Sequence, residues 1–293
     1  MTKERTMESF EAGGIAVAYD EQGDGPAVLF LHNGGTSSTI WRRQVAALSD
    51  RYRTIAVDLP GFGAAPHRGR ATLAAQVTVL SELLDELGVT DVVAVGNCMG
   101  SNMACGLADA RPDVVRGLVL CNPLTEATFS AGWLGPLHRM ARVAPRPTAA
   151  LRGLSRRVVV PKPLAPAVLR FQLGARGVAA NLHHDPALVA TCCRRAQLPA
   201  LIDVLDDLSA YGELDRRPDP VAVPTVVVWG EANRVLSPDV GAALDARLAP
   251  ETSVVLAGCG HLPMLEDAEA VTHLIEELLG GRLEAVAVAR EAS

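Results

Sequence analysis

No stretch of the 293-residue sequence approaches the roughly 20 uninterrupted apolar residues that a membrane-spanning helix needs, so no membrane partner is expected. The first residues, MTKERTMESFEAGG, lack the apolar core of a signal peptide, which makes a cytoplasmic location the expectation. A basic excess is missing too. Against 27 Lys and Arg stand 33 Asp and Glu, a net charge of −6, and nucleic-acid binders usually carry the opposite balance. Aromatic residues make up only 4% of the chain, but apolar residues reach 49% and charged ones 20%, which excludes intrinsic disorder. The length suits one large domain, or one domain with a big insertion, able to bury a sizeable core. The six cysteines (Cys98, Cys105, Cys121, Cys192, Cys193 and Cys259) have no zinc-ligand spacing, and a cytosolic chain rarely forms disulfides. All except Cys98 read as small buried hydrophobes. There is no phosphate loop, metal-ligand cluster, cofactor motif, internal repeat or low-complexity tract, so neither cofactor nor metal is expected.

Charge is unevenly placed along the chain. Between Ala127 and Ala200, ten arginines and Lys162 face one acid, Asp185, a local charge of +10. Elsewhere 16 basic residues face 32 acidic ones. The block has two readings that the sequence leaves open: a surface for an anionic substrate, or a solvated face paired with acids of the remainder.

Short apolar runs alternate with helical patterns, the signature of a mostly parallel sheet with crossover helices. Strands are expected at Gly14–Tyr19, Ala27–His32, Thr54–Asp58, Val92–Val95, Val115–Cys121, Thr225–Trp229 and Ser253–Leu256. Helices are expected at Ile40–Leu48, Leu73–Leu87, Met99–Ala110, Asp239–Leu248 and Val271–Leu279. At Asn122 the alternation breaks, and about eighty residues follow with scattered Pro, many Arg and helical but no clear strand patterns. The expected fold class is therefore α/β: a mostly parallel central sheet flanked by helices, residues 1–122 and 206–293, with a helical insertion at 123–205. The tail from Gly280 to Ser293 carries no motif.

The most specific feature is VVAVGNCMGSNMACG, in which strand residues run into Gly96-Asn97-Cys98-Met99-Gly100 and a helix follows. Two glycines flank one nucleophile-type residue at a turn so sharp that side chains in their places would clash. The central residue is held in a strained conformation with its side chain exposed. The helix N-terminus beneath it would favour an anion there, thiolate or developing oxyanion. His183 and His184 read as solvated or structural, because nothing in the sequence pairs them with Cys98.

This turn resembles the nucleophile elbow of the α/β-hydrolase family, with Cys in the usual Ser position. Three further segments match in the family's order. His32-Asn33-Gly34-Gly35, just after a strand, resembles the oxyanion-hole loop. DLPGFG, from Asp58 to Gly63, resembles the Pro-Gly turn after the next strand, and GCGHLP, from Gly258 to Pro263, resembles the loop carrying the catalytic histidine. The resemblance covers nearly all of residues 14–280, and the insertion corresponds to the cap of many members. It implies Cys98 as nucleophile, His261 as its base and the backbone N–H groups of Gly34 and Met99 as the oxyanion hole. The family's third catalytic member is an acid just after the strand at Thr225–Trp229, and here the matching position is Asn233. Two readings stay open. Asn233 orients His261 through its side-chain carbonyl, as a neutral Asn does beside Cys–His pairs on other folds, or a displaced carboxylate does, with Glu231, Asp239 and Glu126 as candidates.

Relatives that open epoxides or displace halide use a carboxylate at the elbow, so Cys98 argues against both. The expected function is a cofactor-free hydrolase-type enzyme that cleaves or transfers an ester or thioester acyl group through acyl-Cys98. Its partner would be a small-molecule substrate, anionic or tethered to a carrier protein, with apolar stretches such as Ala144–Leu151 and Ala165–Val168 lining the pocket. The alternatives are an acyltransferase or cyclase, a lyase eliminating without a stable covalent intermediate, an inactive enzyme, and a non-catalytic binder of a small ligand, which would have no need of the elbow.

Overall fold

The computed structural model describes residues 7–143, 159–195 and 197–281. Eight strands form one sheet: β1 (Glu8–Ala12), β2 (Ile15–Gln22), β3 (Ala27–Leu31), β4 (Arg53–Asp58), β5 (Val92–Asn97), β6 (Val115–Cys121), β7 (Thr225–Gly230) and β8 (Thr252–Leu256). Their spatial order is β1-β2-β4-β3-β5-β6-β7-β8. β2 pairs antiparallel with both β1 and β4, and every other neighbouring pair is parallel. β3, β5 and β7 are buried at every residue. A parallel strand covered by helices on both faces offers no side to water, so its sequence is a continuous Val/Leu run rather than an alternation.

Strand β1 has no counterpart in the sequence reading. It lies at the sheet edge with a mostly exposed pattern and so carries no apolar run to betray it. The turn into β2 passes through Gly13 and Gly14, both at positive φ, and β2 runs on to Gln22, three residues past the expected end.

Helices α1 (Arg42–Leu48), α2 (Leu73–Glu86) and α3 (Met99–Ala110) connect the first parallel strands. Between β6 and β7 every described element is helical. These are α4 (Glu126–Ala131), α5 (Gly135–Val143), α6 (Ala165–Gln172), α7 (Ala175–Ala179), α8 (Pro186–Cys192), α9 (Gln197–Asp206) and α10 (Leu208–Tyr211), with short 3-10 turns among them. The chain ends on α11 (Pro238–Leu248), α12 (Pro263–Glu266) and α13 (Ala268–Leu279). Side-chain caps set several of these starts: Thr72, Ser237 and Asp267 each accept the backbone N–H three residues on. The apolar stretch Ala144–Leu151 and the tail beyond Gly281 lie outside the described residues.

Strand order positions the site. From β3 the chain crosses to β4 on one side, then returns past β3 to β5 on the other, so the connections leave β3 and β5 in opposite directions. Such a reversal opens a crevice beyond the carboxyl ends of the two strands. Leu31 of β3 is in register with Gly96 of β5, which brings the loop His32–Gly35 against the turn at Cys98. β7 and β8 follow β6 in spatial order, and their carboxyl ends deliver Asn233 and His261 to the same edge.

Candidate active site

Cys98 joins β5 to α3 with φ +54° and ψ −115°, a conformation that side-chain-bearing residues rarely adopt. The flanking glycines are explained by contact. A Cβ on Gly96 would overlap the backbone of Gly100 and Ser101, and one on Gly100 would overlap the carbonyls of Leu31 and His32. The expected exposure of the side chain is not observed: Cys98 is only 7% exposed. Burial pushes its thiol up to about 12, although the backbone N–H groups of Met99 and Gly34 both bear on the sulfur and pull the other way. The helix N-terminus therefore favours the anion without outweighing the loss of water.

Gly34 is held by a fixed loop. The fully buried His32 donates from Nδ1 to the Asn33 carbonyl (2.8 Å) and accepts the Leu59 N–H on Nε2 (2.9 Å). Burial lowers its pKa, which keeps the ring neutral and able to do both. Asn33 donates to the Gly34 carbonyl (2.9 Å) and to Oε1 of Gln172 on α6 (3.2 Å). Asp58, the first residue of DLPGFG, accepts the N–H groups of Ser38 (2.7 Å) and Ala64 (2.6 Å), bracing the loops on either side.

His261 is 2% exposed, and burial lowers its imidazole to about 3. Its Nδ1 lies 3.2 Å from Oδ1 of Asn233. That oxygen also accepts the backbone N–H groups of Val235 (3.0 Å) and Leu236 (3.2 Å). Two N–H donors aimed at one atom require it to be the amide oxygen, since an NH₂ there would meet two donors. The proton of neutral His261 thus belongs on Nδ1, which leaves Nε2 as the basic nitrogen. Of the carboxylate candidates, Glu231 is exposed and accepts the Gly258 N–H (2.9 Å), Asp239 is exposed in the first turn of α11, and Glu126 opens α4 beside Gly212.

Four residues that the sequence reading passed over fix the histidine backbone. Asn97, the last residue of β5, and Asn122, just past β6 at φ +43°, both donate to the His261 carbonyl (3.1 and 3.4 Å). Oδ1 of Asn122 also accepts the Gly230 N–H (3.0 Å). The His261 N–H donates to the backbone carbonyl of Gln172 (2.6 Å). Glu266 accepts four backbone N–H groups, Gly260 (2.8 Å) and Leu262 (3.2 Å) on one oxygen and Gly174 (2.7 Å) and Gly177 (3.2 Å) on the other. It is buried, and desolvation raises its pKa against the pull of those donors. An acid inside the apolar run PMLE was a legible signal for Glu266, as polar Asn ending apolar strands was for Asn97 and Asn122. Nothing in the sequence marks Gln172.

Cys98, Met99, Gly34 and His261 line one cavity of about 340 Å³. Its walls come largely from the helical segment and are apolar, among them Phe129, Val168, Phe171, Leu201 and Leu205. Arg194 is the one charged lining side chain among the described residues. Cys192 lines it too, so that cysteine is more than core filler, whereas His183 and His184 do not. Among the described residues no group of three or more His, Cys, Asp or Glu is placed to hold a metal ion.

A family model described as alpha/beta hydrolase fold matches residues 26–268. Among curated proteins, the chain is 28% identical over 263 residues to a 2-hydroxy-6-oxononadienedioate/2-hydroxy-6-oxononatrienedioate hydrolase of Cupriavidus pinatubonensis, covering 86% of each. Among solved structures it resembles a thermophilic esterase from Thermogutta terrifontis (TM-score 0.76, 24% identity, 96% of this chain and 100% of that one). It also resembles the enol-lactonase from Burkholderia xenovorans (TM-score 0.73, 19% identity, 93% of this chain and 100% of that one).

Proposed function

Since the chain belongs to the alpha/beta hydrolase fold family, we propose that it is a cofactor-free enzyme that cleaves an ester or thioester by way of an acyl-cysteine on Cys98. The observation that carries this reading is the setting of the sulfur, with two backbone N–H groups bearing on it and His261 lining the same cavity. Neutral His261 takes the thiol proton on Nε2 as Sγ bonds to the substrate's carbonyl carbon. The carbonyl oxygen, now negative, is received by the N–H groups of Gly34 and Met99. In acyl-transfer enzymes generally one such donor is worth about 2.7–4 kcal/mol. The tetrahedral intermediate collapses, the leaving alcohol or thiol takes the proton from His261, and acyl-Cys98 remains. Water, deprotonated by the same nitrogen, then releases the acid and restores the thiol. Asn233 holds the Nδ1–H tautomer throughout, and no carboxylate is required behind the ring.

In this reading the helical segment between β6 and β7 is the cap, and its apolar walls receive the acyl chain. Among the described residues, an anionic or carrier-tethered part of the substrate has one cation to meet at the lining, Arg194.

Incubation with activated esters tests the reading. Intact-protein and peptide mass spectrometry should find an acyl adduct on Cys98, and Cys98→Ala should abolish turnover. Full activity of Cys98→Ala, with no adduct on the native chain, would overturn covalent catalysis.

A further inference from the structure

Seven large apolar side chains stay exposed among the described residues, and six of them lie in the helical segment: Trp133 (71%), Leu134, Leu137, Met140 (69%), Leu164 and Val168. Trp133, Leu137 and Met140 are spaced four and three residues apart, one face of α5 and its lead-in. Leu164 and Val168 share a face of α6 and its approach. The two strips meet where the Trp133 ring packs edge-on against Phe171 (6.2 Å). Leu134, Val168 and Phe171 also line the substrate cavity, so the exposed patch is continuous with its rim.

An amphipathic helix of a globular protein normally turns its apolar face inward. On α5 it is His138 that packs inward, against Phe129 (5.5 Å), while Leu137 and Met140 face water. The segment that carries the patch has charge of one sign. Arg139, Lys162, Arg170 and Arg194 are exposed, and no carboxylate occurs between Ala127 and His184. The Arg234 guanidinium lies 5.6 Å from the Trp133 ring.

Exposed apolar side chains including a tryptophan, flanked by guanidinium and ammonium groups, fit the headgroup–acyl boundary of an anionic lipid layer. The apolar groups enter the boundary and the cations pair with phosphates. We propose that this face docks on an anionic lipid surface with the cavity rim against it. A lipophilic substrate then passes from that surface into the apolar cavity without crossing water, a delivery step that rests on the function proposed above, although docking itself does not. Surface docking needs no spanning helix, and none of the described helices is long and apolar enough to cross a membrane.

The full chain should co-sediment with phosphatidylcholine vesicles containing phosphatidylglycerol, more weakly in high salt, and hardly with phosphatidylcholine alone. Trp133 fluorescence should shift to the blue on binding, because Trp41 and Trp229 are already buried. Leu137→Ser with Met140→Ser, both outside the cavity lining, should weaken binding about tenfold or more and leave turnover of a water-soluble short ester unchanged. Cys98→Ala should bind vesicles as the native chain does, which separates failure of docking from failure of the catalytic reading. The proposal is overturned if the native chain ignores anionic vesicles, or if the double substitution leaves binding intact. It is equally overturned if sedimentation velocity shows a dimer that the same substitutions dissociate, since the face then belongs to a second copy.

Discussion

At Cys98 and His261 the decisive quantity is water, or its removal. Burial pushes the thiol up to about 12 and the imidazole down to about 3, so it favours the neutral form of both. Burial thus favours thiol and imidazole over thiolate and imidazolium in the resting pair. Alkylation of Cys98 by iodoacetamide, followed by peptide mapping, should therefore rise steadily with pH and show no plateau near neutrality, because the thiolate is the reactive form. Turnover needs the unprotonated imidazole, so its acid limb should lie far below neutral pH. Asn233→Asp places a carboxylate behind Nδ1, favours the protonated ring and raises its pKa, so the acid limb of the kcat profile should move to higher pH. Asn233→Ala removes the acceptor that fixes the tautomer, and kcat should fall about tenfold to a hundredfold with the thiol's ease of alkylation little altered.

Among the elements, the histidine loop is held from both sides. Glu266 ties Gly260 and Leu262 of that loop to Gly174 and Gly177 of the helical segment, so the segment that walls the cavity also positions His261. Glu266→Gln leaves one acceptor oxygen for four donors. Denaturant melts should show a loss of about 1–3 kcal/mol, and kcat should drop more than KM rises, with partial rescue in Glu266→Asp. The elbow is less forgiving. Gly100→Ala forces a methyl into the Leu31 and His32 carbonyls. It should keep the native circular-dichroism spectrum while kcat falls at least about tenfold, since the loop His32–Gly35, proposed to hold the oxyanion, must shift to make room. The glycines of the elbow were legible in the sequence because a sharp strand-to-helix turn imposes them locally. The donors converging on Glu266 were not, since Gly174 and the short helix α12 that carries Glu266 are brought together by the fold alone and nothing in either segment names the other.

For the molecule as a whole, charge and cavity tell different stories. The +10 block left open an anionic substrate or a solvated face, and the cavity wall is apolar with Arg194 its one charge among the described residues. Straight-chain acyl esters should gain about fourfold in kcat/KM per methylene until the cavity fills. A carboxylate at the far end of the acyl chain should cancel that gain, because an unpaired charge buried there costs more than the methylenes return. Measuring kcat/KM over such a series, with and without the terminal carboxylate, checks both statements.

The sequence by itself determined the strands buried on both faces, the crossover helices and the order of the loops at Gly34, Cys98 and His261. Each of these is written in short-range periodicity or in a local steric demand. The edge strand β1 escaped because one half-exposed strand needs no apolar run. Only the tertiary structure brings Oδ1 of Asn233 to 3.2 Å from Nδ1 of His261. The same holds for the burial of Cys98, the two asparagines on the His261 carbonyl and the outward-facing apolar strip of α5. These depend on which segments the fold brings together from distant parts of the chain and on how much water they exclude. Residue order alone carries neither quantity.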